Sequence, residues 1–282
     1  MRTEKKILNQ INKLSVENNN LCAAVLTSSR GGNSKDLDYF SDYDIELYVY
    51  DLSSILENGN WLSPLGDIMV RWPLGPRTTF NENWITRGII FNDGLRIDFQ
   101  ITDNLNIQPT YLDYGYKVLF DKEKILKNLP KPTFTEFNIK KPTLEEYEII
   151  VKEFWWNASY VPKYLWRNEL PFAKFMMNSA IHHKYLKKVI EWYIGFNNDW
   201  QINPGIAGRF FKRYLSQEIW LKYEFTFSGA GIEDNWKAFF NAISLFSKLA
   251  KEVGTALGYK YPSKMEKEMT NYYKSIKNTE RD

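Results

Sequence analysis

A single cysteine, Cys22, and two histidines stand in a chain of 282 residues. One cysteine excludes an intramolecular disulfide and a thiolate zinc site. Cys22 lies in an apolar run and reads as a buried, inert thiol. His182 and His183 are adjacent, so a helix would point them about 100° apart. They cannot share a metal from one helix face and read as solvated surface side chains. No nucleophile signal lies near either, which removes a Ser-His-Asp reading. No run approaches the roughly 18 apolar residues of a membrane span. The start, Met1 to Lys6, leads into a short amphipathic pattern and not into a signal-peptide block. The expectation is a soluble, cytoplasmic protein with no membrane partner. Gly31-Gly32 is not followed by Gly-Lys-Ser/Thr, so there is no Walker loop. The net charge of +3 is too weak to call for nucleic acid.

Aromatic residues, by contrast, are plentiful at 16%, with ten tryptophans. The simplest home for them is a Trp-rich helical core. The length suits two modest domains. Residues 1–140 are slightly acidic and the remainder is basic, so a cationic substrate needs local acids to hold it.

The first ~120 residues alternate between strand and helix patterns. Ile7, Leu8, Ile11 and Leu14 mark a helix face. Leu21 to Thr27 is an apolar run suited to a central strand. A loop over Asn33 to Ser41 follows. Asp51 can cap a short helix. Asp67 to Trp72 and Arg87 to Phe91 read as strands, and Asn92-Asp93-Gly94 joins the latter to Leu95–Ile101 as a hairpin. Tyr116 to Phe120 closes a mixed sheet flanked by helices. Lys127 to Pro142 is a proline- and lysine-rich linker. Helical patterns follow to the end. Thr143-Leu144-Glu145-Glu146 and Ser263-Lys264-Met265-Glu266 read as capping boxes. Pro162 and Pro171 mark helix starts or kinks. A helix from about Phe172 ends with Gly195 as its cap, Asn203-Pro204-Gly205 is a turn, and Asn235 to Leu257 is a helix stopped by Gly258. The fold class is α+β: a sheet domain over 1–135 and an all-α domain over 136–282.

The chain is organised around Val25 to Tyr50. There an apolar run ends in the turn Ser28-Ser29-Arg30-Gly31-Gly32, and about a dozen residues later Asp42 and Asp44 stand at i and i+2. In a strand these project from one face, while Ile45, Leu47 and Val49 enter a core from the other. Asp98 alternates with Ile97 and Phe99 in the same way, so it completes a three-acid cluster if its strand pairs near Asp44. Adjacent carboxylates raise one another's pKa unless a cation sits between them. A divalent ion such as Mg²⁺, held by carboxylates and phosphate oxygens, fits. The serine hydroxyls and exposed N–H groups of the turn suit a triphosphate, and Arg30 can neutralise it. An Asp-x-Asp pair alone is weak evidence, and Asp98 could instead pair with Arg96 or Arg87.

These residues resemble the nucleotidyltransferase superfamily of DNA polymerase β. Within it they resemble the aminoglycoside 6-adenylyltransferases, the streptomycin-modifying enzymes. Ser41-Asp42-Tyr43-Asp44-Ile45, Asn60-Trp61-Leu62, Arg96-Ile97-Asp98, Glu153-Phe154-Trp155-Trp156, Tyr160-Val161-Pro162-Lys163 and Arg167-Asn168-Glu169 carry the likeness over nearly the whole chain. One position departs: the family turn reads Gly-Ser-Arg, and Ser28 stands where that glycine would be. The resemblance implies a polymerase β-like catalytic domain with a helical substrate domain, and ATP as adenylyl donor. It implies Mg²⁺ on Asp42, Asp44 and Asp98, with Asp98 as general base. Ser28, Ser29, Arg30 and Lys163 would face the nucleotide. The resemblance implies modification at the 6-hydroxyl of streptomycin; apart from it, Glu146, Glu153 and Glu169 are the helical acids that can hold an aminoglycoside's cationic groups, and with Glu146 taken by its capping box, Glu153 and Glu169, with Trp155, are the candidates. The expected state is a monomer or weak homodimer. Two alternatives stay open: another acceptor, such as a protein hydroxyl, or a nucleotide-binding protein with its turn degraded at Ser28.

Overall fold

The computed structural model describes residues 2–32, 37–57, 59–73, 78–79, 81–106 and 108–280. The loop expected over Asn33 to Ser41 lies partly outside them. Two compact units divide the chain, Met1–Glu136 and Phe137–Asp282.

The first unit begins with α1 (Glu4–Glu17), whose Thr3 hydroxyl accepts from the Lys6 N–H and caps its start. It buries Ile7, Ile11 and Leu14. A seven-stranded mixed sheet follows. Its strands are β1 (Leu21–Thr27), β2 (Tyr43–Val49), β3 (Ile68–Trp72), β4 (Thr78–Thr79), β5 (Asn81–Phe91), β6 (Arg96–Thr102) and β7 (Lys117–Asp121), in the order β3-β5-β6-β2-β1-β7 with β4 on β5. The short α2 (Ser28–Gly31) follows β1 directly, and α3 (Leu52–Glu57) follows β2. Asp51 accepts from the Ser53 N–H at 2.9 Å and so begins α3.

β1 is buried along its whole length, as a continuous apolar run at a sheet centre should be. One sheet face packs Ile45, Leu47, Val49, Ile97, Phe99 and Ile101 against α1. The other carries a smaller cluster of Cys22, Ala23, Val25, Tyr48, Trp84 and Leu126. The β5–β6 hairpin turns at Asn92-Asp93-Gly94, where Gly94 takes φ +80°.

The second unit is helical among the described residues: α4 (Leu144–Ala158), α5 (Tyr160–Trp166), α6 (Leu170–Phe175), a π-helical stretch Met176–Leu186, α7 (Lys187–Asn197), α8 (Phe211–Tyr214), α9 (Gln217–Glu224), α10 (Ile232–Leu257) and α11 (Ser263–Asn278), with one single-turn 3-10 segment at Ile206–Gly208. Trp155, Trp192 and Trp236 lie in its core, with Phe154 stacked on Phe246 at 3.5 Å between centroids. Thr143 and Glu146 form the expected capping box. Gly258 closes α10 in the left-handed conformation.

Three expectations are corrected here. Gly195 lies inside α7, not at a helix end. It is small because a Cβ there would come within 2.6 Å of the Trp200 ring. Ser263 is already helical and makes no capping bond. Glu266 instead accepts from the Ser247 hydroxyl and pairs with Lys251 at 2.6 Å. His182 is buried at 5% exposure, not solvated. It bonds to Thr226 and stacks on Phe227, while His183 is exposed.

Candidate active site

Strand parity brings the acids together. β2 and β6 run parallel, and Asp44 lies directly opposite Asp98. Asp42 stands one residue before β2. Arg96, two residues before Asp98, grips it in a fork: Nε to Oδ1 at 3.1 Å and Nη2 to Oδ2 at 2.7 Å. The same guanidinium reaches Asp42 at 3.7 Å.

This one half-exposed cation does not neutralise the cluster. Burial pushes the Asp42 carboxyl up against the pull of Arg96. Asp44 is pushed up to about 6, first by burial and then by Asp98 and Asp42, while the Ser28 hydroxyl works the other way. Carboxylates crowded in this way favour a further cation. Among the described residues, no three His, Cys, Asp or Glu side chains converge closely enough to enclose a metal by themselves.

The turn after β1 is built differently from the expectation. Arg30 turns inward. Its side chain is buried, and it donates to the carbonyls of Ser41 and Asp42 at 2.7–3.1 Å. It also pairs with Glu4 and lies over the Tyr43 ring. Its work is to fasten the segment that delivers Asp42. Ser28 and Ser29 are half-buried. Ser28 holds φ +55°, the left-handed region that glycine enters freely. Gly31 and Gly32 let this turn press against Tyr114 and Gly115, where a Cβ on Gly32 would meet the Tyr114 carbonyl.

In the helical unit, Glu153 on α4 pairs with Lys184 at 2.9 Å and accepts from the Tyr185 hydroxyl. Lys184 holds its carboxyl below the usual range. Glu169 is exposed just before α6. Lys163 is half-buried on α5, 5.9 Å from the Tyr160 ring centroid. Trp155 is corrected: it is buried in the helical core with its indole N–H donated to Tyr261, so it offers no face to a ligand. Its neighbour Trp156 is 70% exposed.

One acid is new. Glu46 continues the Asp42–Asp44 alternation along β2, yet it is only 1% exposed. The Thr110 N–H donates to both of its oxygens at 2.9–3.0 Å, and the Thr110 hydroxyl donates as well. Burial pushes its carboxyl up to about 7. The i, i+2, i+4 spacing of 42, 44 and 46 is the sequence signal that marks it.

A profile of the streptomycin adenylyltransferase family matches residues 1–276. The chain is 31% identical over 281 residues to the aminoglycoside 6-adenylyltransferase of Bacillus subtilis (strain 168), covering 98% of each. It is 28% identical to the enzyme of the same name from Staphylococcus aureus, covering 99% of this chain and 97% of the relative. A crystal structure of an aminoglycoside 6-adenyltransferase from Bacillus subtilis aligns over 99% of this chain and 100% of its own, at 27% identity and a TM-score of 0.49. The family match over nearly the whole chain makes this a nucleotidyltransferase, since adenylyl transfer is one kind of nucleotidyl transfer. The chain belongs to the streptomycin adenylyltransferase family, a family of adenylyl-transferring enzymes.

Proposed function

We propose that the protein transfers AMP from ATP to a hydroxyl of an aminoglycoside, the 6-hydroxyl of streptomycin, in the cytoplasm, and so gives resistance to the antibiotic. The observation that carries this reading is the direct pairing of Asp44 with Asp98, with Asp42 alongside. The relatives' names and the family profile support adenylyl transfer and the aminoglycoside acceptor.

Asp42, Asp44 and Asp98 would hold Mg²⁺, together with phosphate oxygens. The fit rests on the register that sets Asp44 opposite Asp98, with Asp42 within reach of the same Arg96 that grips Asp98. Bound there, Mg²⁺ offsets charge on the triphosphate and on departing pyrophosphate. The acceptor oxygen bonds to the α-phosphorus. The bond from that phosphorus to the bridging oxygen of the β-phosphate breaks, and pyrophosphate leaves. Asp98 accepts the hydroxyl proton. Arg96 orients Asp98 through its two-point grip. Arg30 positions Asp42 through the loop carbonyls it binds. Glu169 and Glu153 are the acids proposed to hold the cationic groups of the antibiotic. Lys163 is the side chain of the helical unit proposed to meet phosphate.

The test is incubation with ATP, Mg²⁺ and a panel of aminoglycosides. The expected result is release of pyrophosphate with a gain of one AMP in the mass of streptomycin. Pyrophosphate release independent of every aminoglycoside would defeat the reading.

A further inference from the structure

The row that carries the acids continues past Asp98. Trp72 pairs with Gly88, Gly88 with Asp98, and Asp98 with Asp44, across β3, β5, β6 and β2. Residues paired directly across strands project from the same face. The four positions therefore form one line on the sheet, and only Gly88 contributes no side chain.

This glycine is not required by its backbone. It lies in the interior of β5 without a left-handed φ. Glycine in such a place weakens a strand, and it marks positions where a ligand comes close. A Cβ at Gly88 would stand 3.0 Å from Asp98 Oδ1, 3.5 Å from the Trp72 carbonyl oxygen and 3.9 Å from the Trp72 ring. The gap thus has the Asp98 carboxylate on one side and an indole, 53% exposed, on the other.

We propose that the gap over Gly88 is the acceptor subsite, and that residue 88 determines which acceptors enter it. The proposal rests on the reading of function above. The gap receives the acceptor ring that bears the reacting hydroxyl, a polyhydroxylated, cation-bearing ring. Asp98 faces the hydroxyl. The half-exposed Trp72 indole packs against the ring from the other side. Any side chain at position 88 fills the gap and excludes the ring.

The experiment compares wild type, Gly88→Val and Trp72→Ala in AMP transfer to streptomycin, with ATP affinity and thermal unfolding measured alongside. Wild-type transfer establishes the functional reading independently. Its absence would defeat that reading and this proposal together. Given wild-type transfer, Gly88→Val is expected to lower kcat/KM for streptomycin by about 100-fold, with ATP affinity held within about twofold. Trp72→Ala is expected to raise KM for streptomycin about tenfold with kcat little changed. Folded variants whose streptomycin kcat/KM stays within about twofold of wild type would overturn the proposal, as would equal losses in ATP and streptomycin affinity. Should Gly88→Val not fold, Trp72→Ala decides alone by the same criteria.

Discussion

Asp98 has two neighbours that define its chemistry, Asp44 across the ladder and Arg96 along its own strand. Asp98→Asn keeps the shape but removes the proton acceptor. Turnover is expected to fall by about 10²–10⁴-fold with ATP affinity much less affected. Single-turnover kinetics beside calorimetric ATP binding checks this. A collapse of ATP affinity with normal turnover of bound ATP would make Asp98 a nucleotide ligand instead. Ser28 raises a separate question, because a serine at φ +55° carries a steric cost of about 1–2 kcal/mol. Ser28→Gly is expected to stabilise the sheet unit by about 1 kcal/mol or leave it unchanged, since glycine also adds unfolded-state freedom. Transfer should be retained. Denaturant titration and kinetics read both, and a strong loss of activity would show that the hydroxyl beside Asp44 is needed.

At the scale of elements, alternation was legible in the sequence, and capping only in part, since Gly195 and Ser263 read as caps and are not. Ile45, Leu47 and Val49 against Asp44, and Ile97 and Phe99 against Asp98, give strand and face together. Thr143 with Glu146 gives a helix start, and Gly258 a helix stop. What depends on distant partners was not legible. Nothing local says that Arg30 turns inward to Ser41 and Asp42, or that Thr110 meets Glu46 from 64 positions away. Nor does periodicity reveal the π-helical stretch Met176–Leu186, in which His182 is buried. That histidine supports a pH prediction. Its imidazole is pushed down to about 4, first by burial, then by His183 and Lys174, against the bond to Thr226. Above pH ~6.5 the folded and unfolded imidazoles are both neutral, and the contribution is complete. Below that, the unfolded chain binds a proton that the folded chain refuses, so stability declines down to about pH 4. The loss is about 3 kcal/mol at the lower end. Urea titrations between pH 7.5 and 4 are expected to show this slope, and His182→Gln to flatten it. An unchanged slope in the variant would assign the loss to other groups.

At the scale of the molecule, the buried apolar residues sort into clusters that each draw on one unit. The helical cluster spans Tyr147 to Tyr273, and the two clusters of the sheet unit lie between Ile7 and Leu126. A core belonging to one unit makes that unit's stability its own, so damage to one should leave the other's transition in place. Phe154 is the residue to test. It is fully buried, stacks on Phe246 and stands edge-on to Trp155 and Tyr185. Phe154→Ala removes these contacts and leaves a cavity, at a cost of about 3–5 kcal/mol. Differential scanning calorimetry of the full chain is expected to show the helical transition moving down by several degrees. The transition of the sheet unit, identified by its response to Asp44→Asn or Ser28→Gly, should stay where it was. A single cooperative transition that moves as a whole with Phe154→Ala would mean that the two cores unfold as one, and that the stability of the catalytic acids depends on the helical unit.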